Sequence, residues 1–266
     1  MSDDWREVCD RYVQVTSYDR ATLDAIWEDR SYDHASRPPT YLTYPDAERR
    51  IPLGEPEFPA DTAPLWTLLA ERRSKRNYLP QPLSLNELNL LLWSTQGITA
   101  RMDGYELRTS PSSGALYPIE TYLFVTHVAG LDPGLYHLDV EGWALEALRL
   151  DPQIADTATA IALDQEHVRH AGVSFLWTAV LPRCRAKYYE RAYRYVWWDV
   201  GHTAENLHLA AAALGLGSVS MGAWYDVQAH ELLGIDGVEH VSALMASVGK
   251  VAGEDWQADR RAPSAD

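Results

Sequence analysis

Two arginine-rich stretches stand out in a chain that is otherwise strongly acidic, and each has the makings of a functional site. The first is Arg72-Arg73-Ser74-Lys75-Arg76. Guanidiniums and a hydroxyl within five residues can surround a phosphate with charge-assisted, partly bidentate hydrogen bonds. The same letters also describe a helix C-terminus whose cations only answer its dipole. The second stretch runs Arg183-Cys184-Arg185-Ala186-Lys187-Tyr188 and continues through Arg191, Tyr193, Arg194 and Tyr195. A lysine and a tyrosine set among arginines should have depressed pKa values, because neighbouring cations disfavour ammonium and favour phenolate. That is how a proton-transfer group is tuned toward neutrality, and the same field would activate the Cys184 thiol. A solvated amphipathic helix start reads alike.

Two small-residue stretches could admit a ligand. Pro111-Ser112-Ser113-Gly114-Ala115 offers backbone N–H groups and hydroxyls to a planar molecule, as an ordinary surface turn also would. Gly215-Leu216-Gly217-Ser218-Val219-Ser220-Met221-Gly222 suggests a dinucleotide loop, but its spacing is not GxGxxG. It also follows a helical stretch and precedes a strand, the reverse of the Rossmann order. The chain holds no GxxxxGK[ST], so a P-loop is excluded. His202 and Asn206 share a helix face at i, i+4, but a His–Asn pair is a poor metal set and reads as a packing contact. His167 and His170 have no third ligand placed with them, so no metal site is expected. Cys9 and Cys184 are the only cysteines and are expected to remain thiols.

The 266 residues carry a net charge of −15, which argues against a nucleic-acid partner, since that affinity needs a basic face. No run of about 18 apolar residues suggests a membrane helix. The first ten residues are acidic and unlike a signal peptide, so a cytoplasmic location is expected.

These candidates need elements to hold them. Residues 1–60 read as an N-terminal helical piece followed by a proline-rich extended arm, and 61–266 as the main domain. Asp61 or Thr62 can cap a helix with Pro64 in its first turn and Leu65, Leu68 and Leu69 on its apolar face, leading into Arg72. Ser84 and Glu87 form a capping box for a helix stopped by Gly97. Residues 121–128, 135–140, 173–181, 218–223 and 240–248 read as strands. Helices are expected over 152–169, 186–214 and 227–233, the second long, Ala-rich and stopped by Gly215 and Gly217. Strands and helices mix without a βαβ repeat, which predicts an α+β fold.

The order of the motifs is more specific than any one of them. RRSxR, then PSSGALYP before a strand, then KYxxRAYRY, then GHxxxN running into ALGLGS, resembles the SagB-type (ThcOx-like) branch of the FMN-dependent nitroreductases. The similarity covers about Pro64 to the C-terminus, and Tyr32-Asp33-His34-Ala35-Ser36 resembles the branch's N-terminal extension.

That resemblance implies a nitroreductase-like mixed sheet flanked by helices, with a long central helix forming a homodimer that shares two FMN sites. Arg72, Ser74 and Arg76 would hold the phosphate and ribityl chain, with Arg73 near them. Ser112, Ser113 and Gly114 would reach the flavin of the partner subunit. Ser220, Met221 and Gly222 would line the ring through their backbone, with Ala223 standing where the family usually has a second glycine. Arg260 or Arg261 would supply a further phosphate contact. Lys187 and Tyr188 match the catalytic acid/base pair of azoline-oxidising members. The implied reaction takes a peptide thiazoline or oxazoline to the azole, with dioxygen as final acceptor and a cyclodehydratase as a candidate partner. An NAD(P)H-driven nitro- or quinone reductase and a non-catalytic FMN-binding subunit are the alternatives.

Overall fold

The computed structural model describes residues 5–28, 38–102 and 104–252. Two N-terminal helices, α1 (Trp5–Val15) and α2 (Arg20–Glu28), precede β1 (Arg49–Pro52), α3 (Leu65–Glu71) and α4 (Leu85–Gln96). A hairpin of β2 (Ile98–Met102) and β3 (Tyr105–Arg108) follows, then β4 (Ile119–Val125), β5 (Gly134–Asp139) and β6 (Ala144–Leu150). Two short helices, α5 (Ile154–Ile161) and α6 (Glu166–Arg169), lead to β7 (Val173–Val180), α7 (Leu181–Tyr188) and the long α8 (Ala192–Ala213). The described chain ends with β8 (Leu216–Met221), α9 (Asp226–Leu233) and β9 (His240–Lys250).

Seven strands form one sheet in the order β1-β6-β5-β4-β7-β9-β8. The fold is α+β, and every pairing between these strands is antiparallel. Among the described residues, parallel pairing, expected of a mixed sheet, is limited to the isolated bridges Ser74–Ser218 and Leu83–Val128. The central strand β4 is buried along its whole length and alternates between two cores, as the two-residue period of a strand requires. Leu123 and Val125 face the larger core, with Leu88, Leu91 and Leu92 of α4 and Val196, Val200, Ala204, Leu207 and Ala211 of α8. Tyr122 and Phe124 face a smaller core with Ile154, Ile161 and Leu233.

The capping box at α4 forms as expected: Glu87 N–H donates to Ser84 Oγ at 3.1 Å and Ser84 N–H to Glu87 Oε2 at 2.8 Å, with Gly97 as C-cap. At α3, Pro64 takes the N-cap place and no side chain caps the helix, so Asp61 and Thr62 do not serve there. The helix expected over 152–169 is two, because Leu163 and Asp164 adopt φ of 57° and 55°, outside the right-handed helix. The one expected over 186–214 is broken at Tyr189, with φ 48° and ψ −134°. Among the described residues, no helix is long and apolar enough to cross a membrane.

Candidate functional site

Arg72 is the first residue beyond α3, its N–H closing the helix on Leu68 O at 2.8 Å. Its guanidinium Nε lies 4.0 Å from Glu205 Oε1 of α8, an ion pair too long to be a hydrogen bond. Arg73 turns back, its Nη1 donating to Ala70 O at 3.0 Å and Arg72 O at 2.7 Å, so it answers the helix dipole. Ser74 pairs with Ser218, and Lys75 N–H donates to Ser218 O at 3.0 Å, laying the basic segment alongside β8. Gly217 permits that approach, since a Cβ there would lie 3.1 Å from Lys75 Cβ and collide with Val251.

From α8, His208 spans the next two serines, with Nδ1 and Nε2 each 2.8 Å from Ser218 Oγ and Ser220 Oγ. Burial, and then the nearby charge of Arg72, push its pKa down to about 4, so the imidazole is neutral near pH 7. Past Met221 the chain opens: Gly222 and Ala223 are exposed, and a Cβ on Gly222 would meet nothing within 4 Å. The Met221 side chain lies in the smaller core, which leaves only its backbone to line anything at the strand end.

The 111–115 loop is held by a residue that the motifs do not include. Asp199, buried on α8, accepts from Ser112 Oγ at 2.6 Å, from Ser113 Oγ at 3.1 Å and from Ser113 N–H at 3.1 Å. Burial raises the Asp199 pKa against these hydrogen bonds, which act to lower it. With both hydroxyls so engaged, Gly114 is left at the tip with φ 64°, and a Cβ there would lie 2.5 Å from Tyr188 Oη and 3.0 Å from Lys187 Nζ. The loop and the Lys187–Tyr188 pair are therefore one cluster. Lys187 Nζ sits 5.4 Å from the Tyr188 ring centroid, and the Tyr195 ring stands edge-on to that of Tyr188 at 4.6 Å.

The arginines around the pair each have a partner of their own. Arg183 is buried against Glu120 at 2.5 Å and donates to Pro39 O at 2.6 Å and Tyr117 O at 3.2 Å. Glu120 also binds His137 Nε2 at 3.1 Å, and His137 Nδ1 binds Glu146 at 3.0 Å, which carries the chain of charges through the sheet. Burial raises the Glu120 pKa, but Arg183 and His137 outweigh it and hold the carboxyl below its usual range. Arg185 pairs with Glu239, while Arg191 and Arg194 bind the end of α1. Cys184 is fully buried in the larger core, so the expectation of an activated thiol nucleophile there is set aside. Asn206 is a packing contact as expected, donating to Ser94 O and Ser110 Oγ at 3.0 Å.

The structure thus brings the sequence candidates into two groups. Arg72, Ser74 and Ser220 lie near His208 with Gly222 just beyond, while Ser112, Ser113, Gly114, Lys187 and Tyr188 gather near Asp199 and the start of α8. Arg76 is exposed beside the first group; burial raises the pKa of Tyr78 against the pull of Arg76, while burial first and Arg76 second lower that of His167. Nine residues of helix separate Asp199, which holds Ser112 and Ser113, from His208, roughly 14 Å at 1.5 Å per residue. Arg260, Arg261 and the segment 32–36 lie outside the described residues. Among the described residues no group of side chains could hold a metal ion.

Comparison with known proteins agrees with this fold. Residues 69–250 match the model of the Nitroreductase family. A protein of Methanocaldococcus jannaschii described as a nitroreductase is 38% identical over 186 residues, covering 70% of this chain and 90% of its own length. The trifolitoxin-processing protein TfxB of Rhizobium leguminosarum bv. trifolii is 34% identical over 151 residues, covering 52% of this chain and 39% of TfxB. Among solved structures, a nitroreductase-like protein of Ralstonia eutropha superposes with a TM-score of 0.65 at 26% identity, over 82% of this chain and 95% of that one. The E. coli microcin synthetase McbBCD complex gives 0.57 at 21% identity, over 90% and 97%. An FMN complex from Desulfovibrio desulfuricans gives 0.52 at 20% identity, over 76% and 94%. These last two share the fold. With a family match across most of the chain and the fold to go with it, this protein belongs to the nitroreductase family of oxidoreductases, whose typical cofactor is FMN.

Proposed function

We propose that this chain is an FMN-dependent dehydrogenase that converts a peptide-borne thiazoline or oxazoline to the azole, with dioxygen as final acceptor. The observation that carries the reading is the convergence of Lys187 Nζ and Tyr188 Oη on the tip of the 111–115 loop. Two side chains aimed at one open point, either of them in its deprotonated form, can accept a proton there. The relation to a trifolitoxin-processing protein supports a peptide substrate, and the fold shared with a microcin synthetase complex supports a cyclodehydratase partner.

The residues present suit FMN. Arg72 and Arg76 with Ser74 would hold the phosphate and ribityl chain, and the backbone at Ser220, Met221 and the exposed Gly222 would lie against the ring. Arg260 or Arg261 would add a phosphate contact. When bound, FMN supplies a two-electron acceptor that dioxygen can restore. Lys187 and Tyr188 would take the proton from the substrate ring Cα, and the aromaticity gained drives the step. The two groups sit apart along α8, and the family's shared-site arrangement would have each copy of a homodimer complete the other's site. The exposed Leu65, Trp66 and Leu69 of α3 and Trp197 and Trp198 of α8 give that dimer apolar surface to cover.

Purified protein should be yellow, with about one FMN per subunit, and should remove 2 Da from a thiazoline-bearing peptide. Lys187→Ala and Tyr188→Phe should retain FMN while lowering turnover by about 10²–10⁴, the range for a positioned general acid or base. Loss of FMN from either variant would make the pair structural. The family match favours one other reading, an NAD(P)H-driven nitro- or quinone reductase. Rapid NADPH consumption with a quinone, and none of the 2-Da loss, would select it.

A further inference from the structure

The corner joining α7 to α8 carries the Lys187–Tyr188 pair, and its backbone is out of the ordinary. Tyr189 holds φ 48° and ψ −134°, a conformation that a bulky L-residue keeps only where its surroundings over-determine it. Part of those surroundings comes from 170 residues away. The Tyr18 hydroxyl, from the loop after α1, straddles the corner: it donates to Tyr188 O and accepts from Arg191 N–H, each at 3.3 Å.

The rest of the loop reinforces this hold. The Arg191 guanidinium lies 5.3 Å from the Tyr18 ring centroid, and it donates to Thr16 O and to Tyr195 Oη at 3.0 Å each. Arg194 donates to Thr16 Oγ1 at 2.7 Å and to Val13 O and Ser17 Oγ at 3.0 Å. Thr16 is only 1% exposed, although the α1 residues leading to it are exposed. Tyr195, bound by Arg191, is the residue whose ring stands against Tyr188. A continuous set of contacts therefore runs from Tyr18 through Arg191 and Tyr195 to the Tyr188 ring, with a second, direct contact from Tyr18 to the Tyr188 carbonyl.

We propose that Tyr18 is a positioning residue for the Lys187–Tyr188 pair, through which the N-terminal helical segment holds the 188–191 corner so that both side chains converge on Gly114. Tyr18 touches the backbone of the corner and not the point where Lys187 Nζ and Tyr188 Oη meet. Both hydroxyl contacts are long for their type, so the hold comes from their sum. Removing the hydroxyl releases both ends of the strained residue at once, while Tyr18→Phe keeps the ring under Arg191. The inference rests on the reading that the pair does the proton transfer, and its test separates the two.

Wild type, Tyr18→Phe and Lys187→Ala, each FMN-loaded, would be compared by hydrogen exchange of the peptide covering residues 186–193 and by turnover of a synthetic thiazoline peptide. Tyr18→Phe should speed exchange at the corner about tenfold, lower kcat three- to tenfold at unchanged KM, and leave the FMN dissociation constant within twofold. Unchanged exchange overturns the inference whatever the activity does. Faster exchange with full kcat, while Lys187→Ala is inactive, also overturns it, as does a loss of FMN matching the loss of rate. A wild type without turnover counts against the azoline reading, and the exchange ratio then decides the inference alone.

Discussion

The two arginine-rich segments look alike as sequence and behave oppositely in the fold. Between 183 and 194 the cations are spent internally: Arg183 on Glu120 and two carbonyls, Arg185 on Glu239, Arg191 and Arg194 on the end of α1. Between 72 and 76, Arg72 makes a 4.0 Å ion pair and Arg73 donates to its own helix end, with Arg73, Ser74 and Arg76 exposed. Arginine density alone does not mark a ligand site. What separates the segments is whether the fold has already supplied each guanidinium with an anion or carbonyl. The first segment builds the corner that presents Lys187 and Tyr188, and the second keeps charge available for a phosphate.

The most severe test of this contrast is Arg183→Met. It should cost about 3–5 kcal/mol of stability, because Glu120 would stay buried without its cation. Urea denaturation measures it, and a loss below about 1 kcal/mol would mean the segment is not spent as described. Arg72→Ala should leave stability nearly intact and weaken FMN by about 1.5–3 kcal/mol, the worth of a hydrogen bond to a charged group. Arg73→Ala, beside it, should change FMN binding by less than about 0.5 kcal/mol. Equal losses at both positions in a flavin titration would erase the distinction drawn between them.

A weaker signature lies in the pH dependence. Burial first, with Arg72 adding, pushes His208 down to about 4, whereas the unfolded chain protonates near its ordinary value. Between about pH 6.5 and 4 the unfolded state therefore binds the extra proton, and stability falls as pH falls through that window. His240 is likewise lowered to about 4 by burial and adds to the same slope. His208→Gln should flatten the slope by up to one proton, about 1.4 kcal/mol per pH unit. Arg72→Ala should raise the pKa of His208, which NMR titration reads directly.

Much of this was legible in the sequence where the signal is local or the burial complete. The Ser84/Glu87 box fixes α4 by contacts three residues apart, and the runs at β4 and β7 are apolar enough to read as strands whatever surrounds them. The strand β6 was not legible: its Ala-Leu-Glu-Ala-Leu-Arg-Leu is made of helix formers, and pairing with β5 and β1 overrides their propensity. The break at Tyr189 was equally hidden, since no glycine or proline marks it and its support comes from Tyr18. Asp199 escaped notice because a lone carboxylate within a helix reads as solvated face. Its partners Ser112 and Ser113 are 87 and 86 residues away. The motif residues themselves were recognisable, but their division into two groups depends on where α8 starts and ends, which periodicity does not resolve.

The spacing of the two groups along α8 has a genetic consequence. If each site draws Arg72 and its neighbours from one copy and Lys187 and Tyr188 from the other, two inactive alleles can rescue each other. A chain bearing Arg72→Ala and a chain bearing Lys187→Ala, co-expressed in equal amounts, would form mixed dimers in which one site inherits both defects and the other inherits neither. Random pairing makes half of the dimers mixed, so about one quarter of all sites would be intact, while each allele alone stays silent at limiting FMN. If each chain instead carried a complete site, mixing would restore nothing.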